Sequence, residues 1–166
     1  MSDFNWSRFI VRIPINASRQ ALYDVWTSQR AIEHWFLRKA EFKSSAGVLR
    51  GPYEVVHEGD TYEWRWHGWP DEVQERGKIL FCNGRDNFQF TFGEAGNCSV
   101  TIKSEGGQSI VELEQTRIPT NEKGMENYHV GCKTGWTFHL TNMKSIIEGG
   151  RDLRNKDEGL KNVVNA

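Results

Sequence analysis

Between residues 61 and 117 the chain reads as five runs of alternating apolar and polar side chains, each followed by a short cluster of turn formers. The runs cover about 61–67, 75–82, 87–92, 98–103 and 109–117. The gaps between them hold Gly68 to Asp71 with Pro70, Asn83-Gly84-Arg85-Asp86, Gly93 to Asn97, and Glu105-Gly106-Gly107. Glycine, asparagine, aspartate and proline supply the backbone angles of tight turns. Connections this short join antiparallel neighbours, because a parallel pair needs a long crossover. The pattern therefore predicts an antiparallel meander. A period of two sorts its faces. Trp64, Trp66, Ile79, Phe81, Phe88, Phe90, Phe92, Cys98, Val100, Ile102, Val111, Leu113 and Gln115 fall on one side. Glu63, Arg65, Lys78, Gln89, Thr91, Ser99, Thr101, Lys103, Glu112 and Glu114 fall on the other. Such a sheet has one apolar and one wet face.

After Ile118-Pro119 the period changes. Met125, Tyr128, Cys132, Trp136, His139, Leu140, Met143, Ile146 and Ile147 recur at spacings of three and four, the signature of an amphipathic helix. Thr120 or Asn121 can cap its start and Gly149-Gly150 ends it. A helix over 122–148 would span about 40 Å, enough to cross a sheet. Gly131 and Gly135 each cost such a helix about 1 kcal/mol relative to alanine. They mark close packing or a bend over something bulky.

The N-terminal part reads as a strand over 8–15, with Pro14 suiting an edge position. A short helix capped by Ser18 runs through Trp26. A second, capped by Thr27 or Ser28, carries Ile32, Trp35 and Phe36 on one face. Residues 39–44 form a further strand. The segment from Ser44 to Asp60 has no assigned structure, and the polar tail from Arg151 is expected to be loosely held. One helix cannot cover seven flat strands, so the sheet must curve. The layout is α+β, read as one domain over 1–166.

The order and spacing of these elements resemble a known family. The residues that carry the likeness are Ala17 to Trp26 after the first strand, the Trp35-Phe36 pair, and Gly135-Trp136 in a helix ending Leu140-Thr-Asn-Met143-Lys144-Ser-Ile-Ile-Glu148-Gly-Gly-Arg-Asp-Leu-Arg154. Together they look like the activator-of-heat-shock-protein-90-ATPase homologue family. That family lies in the helix-grip, START-like superfamily with polyketide cyclases and lipid carriers. Members commonly have a second leucine where this chain has Met143. The resemblance implies a curved seven-stranded antiparallel sheet wrapped around the C-terminal helix, with a hydrophobic cavity between them. It implies a function less directly, because the superfamily mixes carriers, enzymes and chaperone partners.

Charge excludes some classes. Lys and Arg number 21 against 22 Asp and Glu, a formal net charge of -1. Nucleic-acid binding and attraction to anionic membranes both need a basic excess that is missing here. No stretch reaches transmembrane length. Cys82, Cys98 and Cys132 are odd in number and widely spaced, which reads as reduced thiols in a cytoplasmic protein. The sequence has no P-loop, no dinucleotide-binding glycines, no Gly-x-Ser-x-Gly and no His-Glu-x-x-His. His34, His57, His67, His129 and His139 do not sit at metal-ligand spacings. No cofactor, metal or catalytic residue is assigned.

Seven tryptophans exceed the needs of a packed core and can supply rigid walls for a ligand. The candidate ligand-binding set is Trp35, Phe36, Trp64, Trp66, Phe81, Phe88, Phe90, Gln115, Tyr128, Cys132, Trp136, His139 and Met143. His139 is either a polar handle or a boundary histidine bonded to water or a strand carbonyl. Gln115 bonds either a ligand or a neighbouring side chain. Three functions stay open. The leading one is non-catalytic binding of a small lipophilic or aromatic molecule. The second is a cyclase- or hydrolase-type enzyme using His139, Gln115 and Tyr128. The third is a chaperone ATPase co-regulator. Weak homodimerisation is compatible with each.

Overall fold

The computed structural model describes residues 3–164. Strand β1 (Phe9–Pro14) leads into two short helices, α1 (Arg19–Asp24) and α2 (Gln29–Glu33). Strands β2 (Lys39–Lys43), β3 (Thr61–Arg65), β4 (Gln74–Cys82), β5 (Asn87–Thr91), β6 (Asn97–Glu105) and β7 (Gln108–Thr116) follow. A π-helical segment, Gly124–Val130, enters the C-terminal helix α3 (Gly131–Ile147). The seven strands form one sheet in the order β1-β7-β6-β5-β4-β3-β2, with every neighbouring pair antiparallel. This is the helix-grip α+β architecture expected from the sequence. Pro14 ends edge strand β1, where its missing N–H costs no ladder bond. Among the described residues no helix is long and apolar enough to cross a membrane.

The short helices start where expected. Ser18 Oγ accepts the Ala21 N–H at 3.1 Å, and Ser28 Oγ accepts that of Ala31 at 3.4 Å. Each serine satisfies a donor that the first turn leaves free. The middle of the interior is filled by rings. Trp26, Trp35, Phe36, Trp64, Phe88 and Phe90 are all fully buried. Trp64 stacks on Tyr62 at 3.8 Å between ring centres and meets Phe90 edge-on at 5.2 Å.

Three sequence expectations need correction. Phe81 is not on the inner face. A β-bulge between Ile79 and Phe81 shifts the register, so that Ile79 pairs with Phe90 but Phe81 pairs with Gln89. One extra residue inverts the alternation beyond it. Phe81 is left exposed, and Cys82 turns inward beside Val56 and Phe88. The C-terminal helix is also not α-helical throughout, since its first seven residues are π-helical. Finally, the tail after Gly150 is pinned. Arg154 has a side chain only 5% exposed. It donates to the carbonyls of Glu33, His34 and Leu37 and to Asp152, so it closes the C-terminal end of α2. Asn142 on α3 completes the clasp by donating to the Trp35 carbonyl and accepting the Leu153 N–H.

The segment from Ser44 to Asp60 is held by polar contacts with no hydrophobic period. Arg50 N–H bonds the Phe42 carbonyl, Arg30 N–H that of Pro52, and Val56 N–H that of Thr27. Its anchor is Asp60, a buried carboxylate gripped by the Arg50 guanidinium through two nitrogens, with Nη2 at 3.0 Å. The His57 N–H adds a third bond at 2.9 Å. Burial pushes the Asp60 carboxyl up, but Arg50 and the His57 N–H outweigh it and hold it below the usual range. Asp60→Asn leaves the part-buried Arg50 guanidinium with the longer Glu54 contact at 3.4 Å as its counter-charge and is expected to cost about 2 kcal/mol. Urea denaturation of the variant checks this. A loss under about 1 kcal/mol would mean that the pair does not anchor the segment.

Candidate functional site

A cleft of about 770 Å³ opens between the first half of the C-terminal helix and one end of the sheet. The helix contributes Asn127, Tyr128, Gly131, Cys132, Gly135, Trp136 and His139. These positions repeat every three or four residues and so share one helical face. Opposite them lie Phe36 beyond α2, Trp66, Trp69 and Val73 around the β3–β4 connection, and Glu75 on β4. The turn between β5 and β6 adds Phe92 to Ala95.

The helical face owes its shape to three glycines. A Cβ at Gly124 would collide with the Pro119 carbonyl oxygen, so only glycine lets the helix start so close to that loop. π-Helical turns of this kind recur at functional sites. Gly131 and Gly135 lie on the cleft itself. A Cβ at Gly135 would meet nothing within 4 Å, and one at Gly131 only the Glu126 carbonyl oxygen at 3.6 Å. Their missing side chains are therefore part of the open volume. The helix propensity they forgo is the cost of that space.

Trp136 forms the rear wall. Its ring lies 4.9 Å from Phe36 and 5.5 Å from Phe92. Its Nε1–H donates at 2.9 Å to Oε1 of Gln115 on β7. The Gln115 amide donates in turn to the Ala95 carbonyl at 2.9 Å. Gln115 thus faces inward as the alternation predicts, and both ends of its amide are used by the protein.

His139 is only 5% exposed and packs edge-on against Phe36 at 4.8 Å. It is not bonded to a strand carbonyl, and its Nδ1 is buried without a hydrogen-bond partner. Burial, with a smaller contribution from the Arg154 charge, pushes its pKa down to about 3. The imidazole is therefore neutral at ordinary pH. A buried N–H without an acceptor is rarer in proteins than an idle acceptor. The tautomer with its proton on Nε2 follows, giving the cleft a neutral polar ring.

Two carboxylates stand in the wall. Glu94 accepts the Tyr128 hydroxyl at 2.7 Å and Lys123 Nζ at 2.9 Å. Those partners hold its carboxyl below the usual range. Glu75 differs. Its one hydrogen bond is to the adjacent Arg76 N–H, at 3.2 Å. Burial pushes its carboxyl up and the Glu94 charge pushes the same way. Among the described residues no group of three or more His, Cys, Asp and Glu side chains could hold a metal.

Of the residues singled out in the sequence, Phe36, Trp66, Tyr128, Cys132, Trp136 and His139 meet at this cleft. Trp35, Trp64, Phe88, Phe90 and Met143 are packed in the core, and Gln115 supports Trp136 from behind. Phe81 lies on the opposite face. Trp69, Val73, Glu75, Glu94 and Asn127 were missed. Glu75 was legible, because the alternation that turns Ile79 inward also turns Gly77 and Glu75 inward. Trp69, Val73 and Glu94 sit in connections, where no period exists to read, while Asn127 lies in the π-helical entry to the long helix.

The family profile described as Activator of Hsp90 ATPase homolog 1-like protein matches residues 16–148. No curated protein matches the chain. Among solved structures, the protein SSP2350 from Staphylococcus saprophyticus is similar at a TM-score of 0.67 and 16% identity, over 89% of this chain and 96% of that one. The Aha1 dimer from Colwellia psychrerythraea also gives 0.67 and 16%, over 87% and 98%. CalU16 from Micromonospora echinospora gives 0.60 and 17%, over 86% and 76%. At these identities the likeness is one of fold.

The neutral state of His139 has a measurable cost in acid. The unfolded chain takes up the imidazole proton near pH 6.5 while the folded protein resists it down to about 3. Stability contributed by this group is therefore lost as pH falls across that window, at about 1.4 kcal/mol per pH unit. His139→Phe removes the titration while keeping a ring against Phe36. Chemical denaturation at stepped pH is expected to show a shallower acid slope, by about one proton, in the variant. Equal slopes would show that His139 is not held neutral.

Proposed function

We propose that this chain, which belongs to the Activator of Hsp90 ATPase homolog 1-like protein family, binds a small apolar or aromatic molecule in the cleft beside α3 and does so without catalysis. The observation that carries this reading is a wall of large rings left facing open space. Phe36, Trp66, Trp69, Phe92 and Trp136 surround about 770 Å³, within the size range of ligand sites. Trp35, Trp64, Phe88 and Phe90 instead close on one another in the core. Trp66, Trp69 and Phe92 keep accessible area that a ligand would favourably cover, while Phe36 and Trp136 are already buried and form the back of the wall.

The enzyme alternative asks for chemistry from His139, Gln115 and Tyr128. Gln115 and Tyr128 are engaged with protein partners, and His139 is kept neutral by burial. Binding fits these groups better. The Colwellia neighbour is a dimer, and a weak homodimer is the corresponding proposal for this chain. A chaperone contact is suggested by the family's name alone. The three free thiols suit a reducing, cytoplasmic setting.

Gly135 gives the direct test. A Cβ there meets nothing within 4 Å, so leucine would start into the open cleft, and the helix would gain up to about 1 kcal/mol. Gly135→Leu is expected to melt no lower than the parent and to bind phenylbutanol at least about tenfold more weakly. Calorimetry and thermal melting read both quantities. A folded variant with parental affinity would place the ligand elsewhere.

A further inference from the structure

Resting on this binding reading, the geometry points to a ligand class: an aromatic or aliphatic body carrying a cationic nitrogen, with Glu75 as its counter-ion. The starting observation is a carboxylate on the wrong face. Glu75 pairs across the sheet with Trp64, and Trp64 is fully buried among core rings. Cross-strand partners point to the same side of a sheet. Glu75 is therefore an inward-facing acid on the apolar face, a break in the pattern of the kind that marks functional sites.

Among the described residues no lysine, arginine or histidine forms an ion pair with Glu75, whereas Glu94 has Lys123. A partly buried charge without a counter-charge is costly. Glu75 also rests against the bare backbone of Gly93, leaving no room there for a side chain. It stands in the same wall as Trp66, Trp69 and Phe92. The faces of such rings attract a cation, best of all where water is thinned out.

The wall is also selective by what it omits. Its charged members are the two glutamates, and no lysine or arginine lines it. The remaining titratable groups facing the cleft are Tyr128, Cys132 and His139. His139 is an independent sign that the site is built for a polar ligand. It is almost wholly buried, lines the cleft and leaves Nδ1 unpartnered. A fatty acid or other anion would meet like charge from Glu75, with no fixed cation to offset it. An amine would supply the missing counter-charge and offset the effect of burial on the Glu75 carboxyl.

The test uses three probes of one shape on the whole chain: phenylbutylamine, phenylbutanol and phenylbutanoate, titrated by calorimetry at neutral pH and low salt. The expected order is amine tightest, by about tenfold over the alcohol, with the acid weakest. In Glu75→Gln, shown to be folded by its thermal melt, the three affinities should fall within about threefold of one another. The parent protein supplies a check without mutation: raising the salt should weaken the amine and leave the alcohol unchanged. If the alcohol matches the amine, or if Glu75→Gln keeps the preference, the cationic assignment falls while the apolar cleft stands. If none of the three binds, the cleft reading itself falls and the assignment with it.

Discussion

The hydrogen bond from Trp136 to Gln115 is the contact on which the site depends. It is a neutral bond at 2.9 Å between fully shielded groups, and such a bond is worth most through the penalty for leaving either partner alone. Gln115 cannot turn away, because its other end holds the Ala95 carbonyl. One amide thereby ties three elements together: the helix through Trp136, the sheet through β7, and the β5–β6 turn through Ala95. That turn carries Glu94, which in turn holds Tyr128 and Lys123 of the helix start. The distance between helix and sheet, and so the width of the cleft, is set by this closed loop of polar contacts and not by apolar packing alone.

Elsewhere the molecule is careful with its buried polar groups. Asp60 has Arg50 and the His57 N–H, Asn142 uses both ends of its amide, and Arg154 divides its donors among three carbonyls and a carboxylate. Two tryptophan N–H groups, of Trp26 and Trp64, are without partners inside the aromatic core. The uncompensated carboxylate Glu75 and the orphan nitrogen of His139, by contrast, stand on one cleft. The unpartnered groups are thus of two kinds: two indole N–H groups inside the aromatic core, and a histidine nitrogen and a carboxylate that share one opening.

Most of the fold could be read from the chain because two periods differ sharply. Alternation over 61–117 fixed the meander, and the change of spacing after Pro119 fixed the helix. The errors arose where a local event is invisible to a period. A single extra residue near Leu80 reversed Phe81 and Cys82, and nothing in the residue types of β4 announces it. Spacings of three and four fit α and π turns alike, so the π segment was hidden. The segment 44–60 is held by backbone hydrogen bonds to other parts of the chain and by the Arg50–Asp60 pair, and the tail by side chains reaching distant backbone, as Arg154 reaches Glu33, His34 and Leu37. Such contacts have no sequence signature. The site was half visible for the same reason: its helical and strand residues follow periods, while Trp69, Val73 and Glu94 come from connections.

The place of the cleft follows from where side chains were left out. A space was expected between the curved sheet and the helix, and the centre of that region is filled by Trp26, Trp64, Phe88 and Phe90. The C-terminal half of α3 seals onto it through Leu140, Asn142 and Met143, all fully buried. The opening lies instead beside the N-terminal half, where the same helix presents Gly131 and Gly135. Large rings and absent side chains thus work together, the first closing the centre and the second opening one end. Under the binding reading proposed above, the shape of what fits would be governed by the helix face at 131 and 135, and its charge by the strand opposite at 75. The two positions sit on different elements, so under that reading a substitution on one would change size selection and leave charge selection to the other.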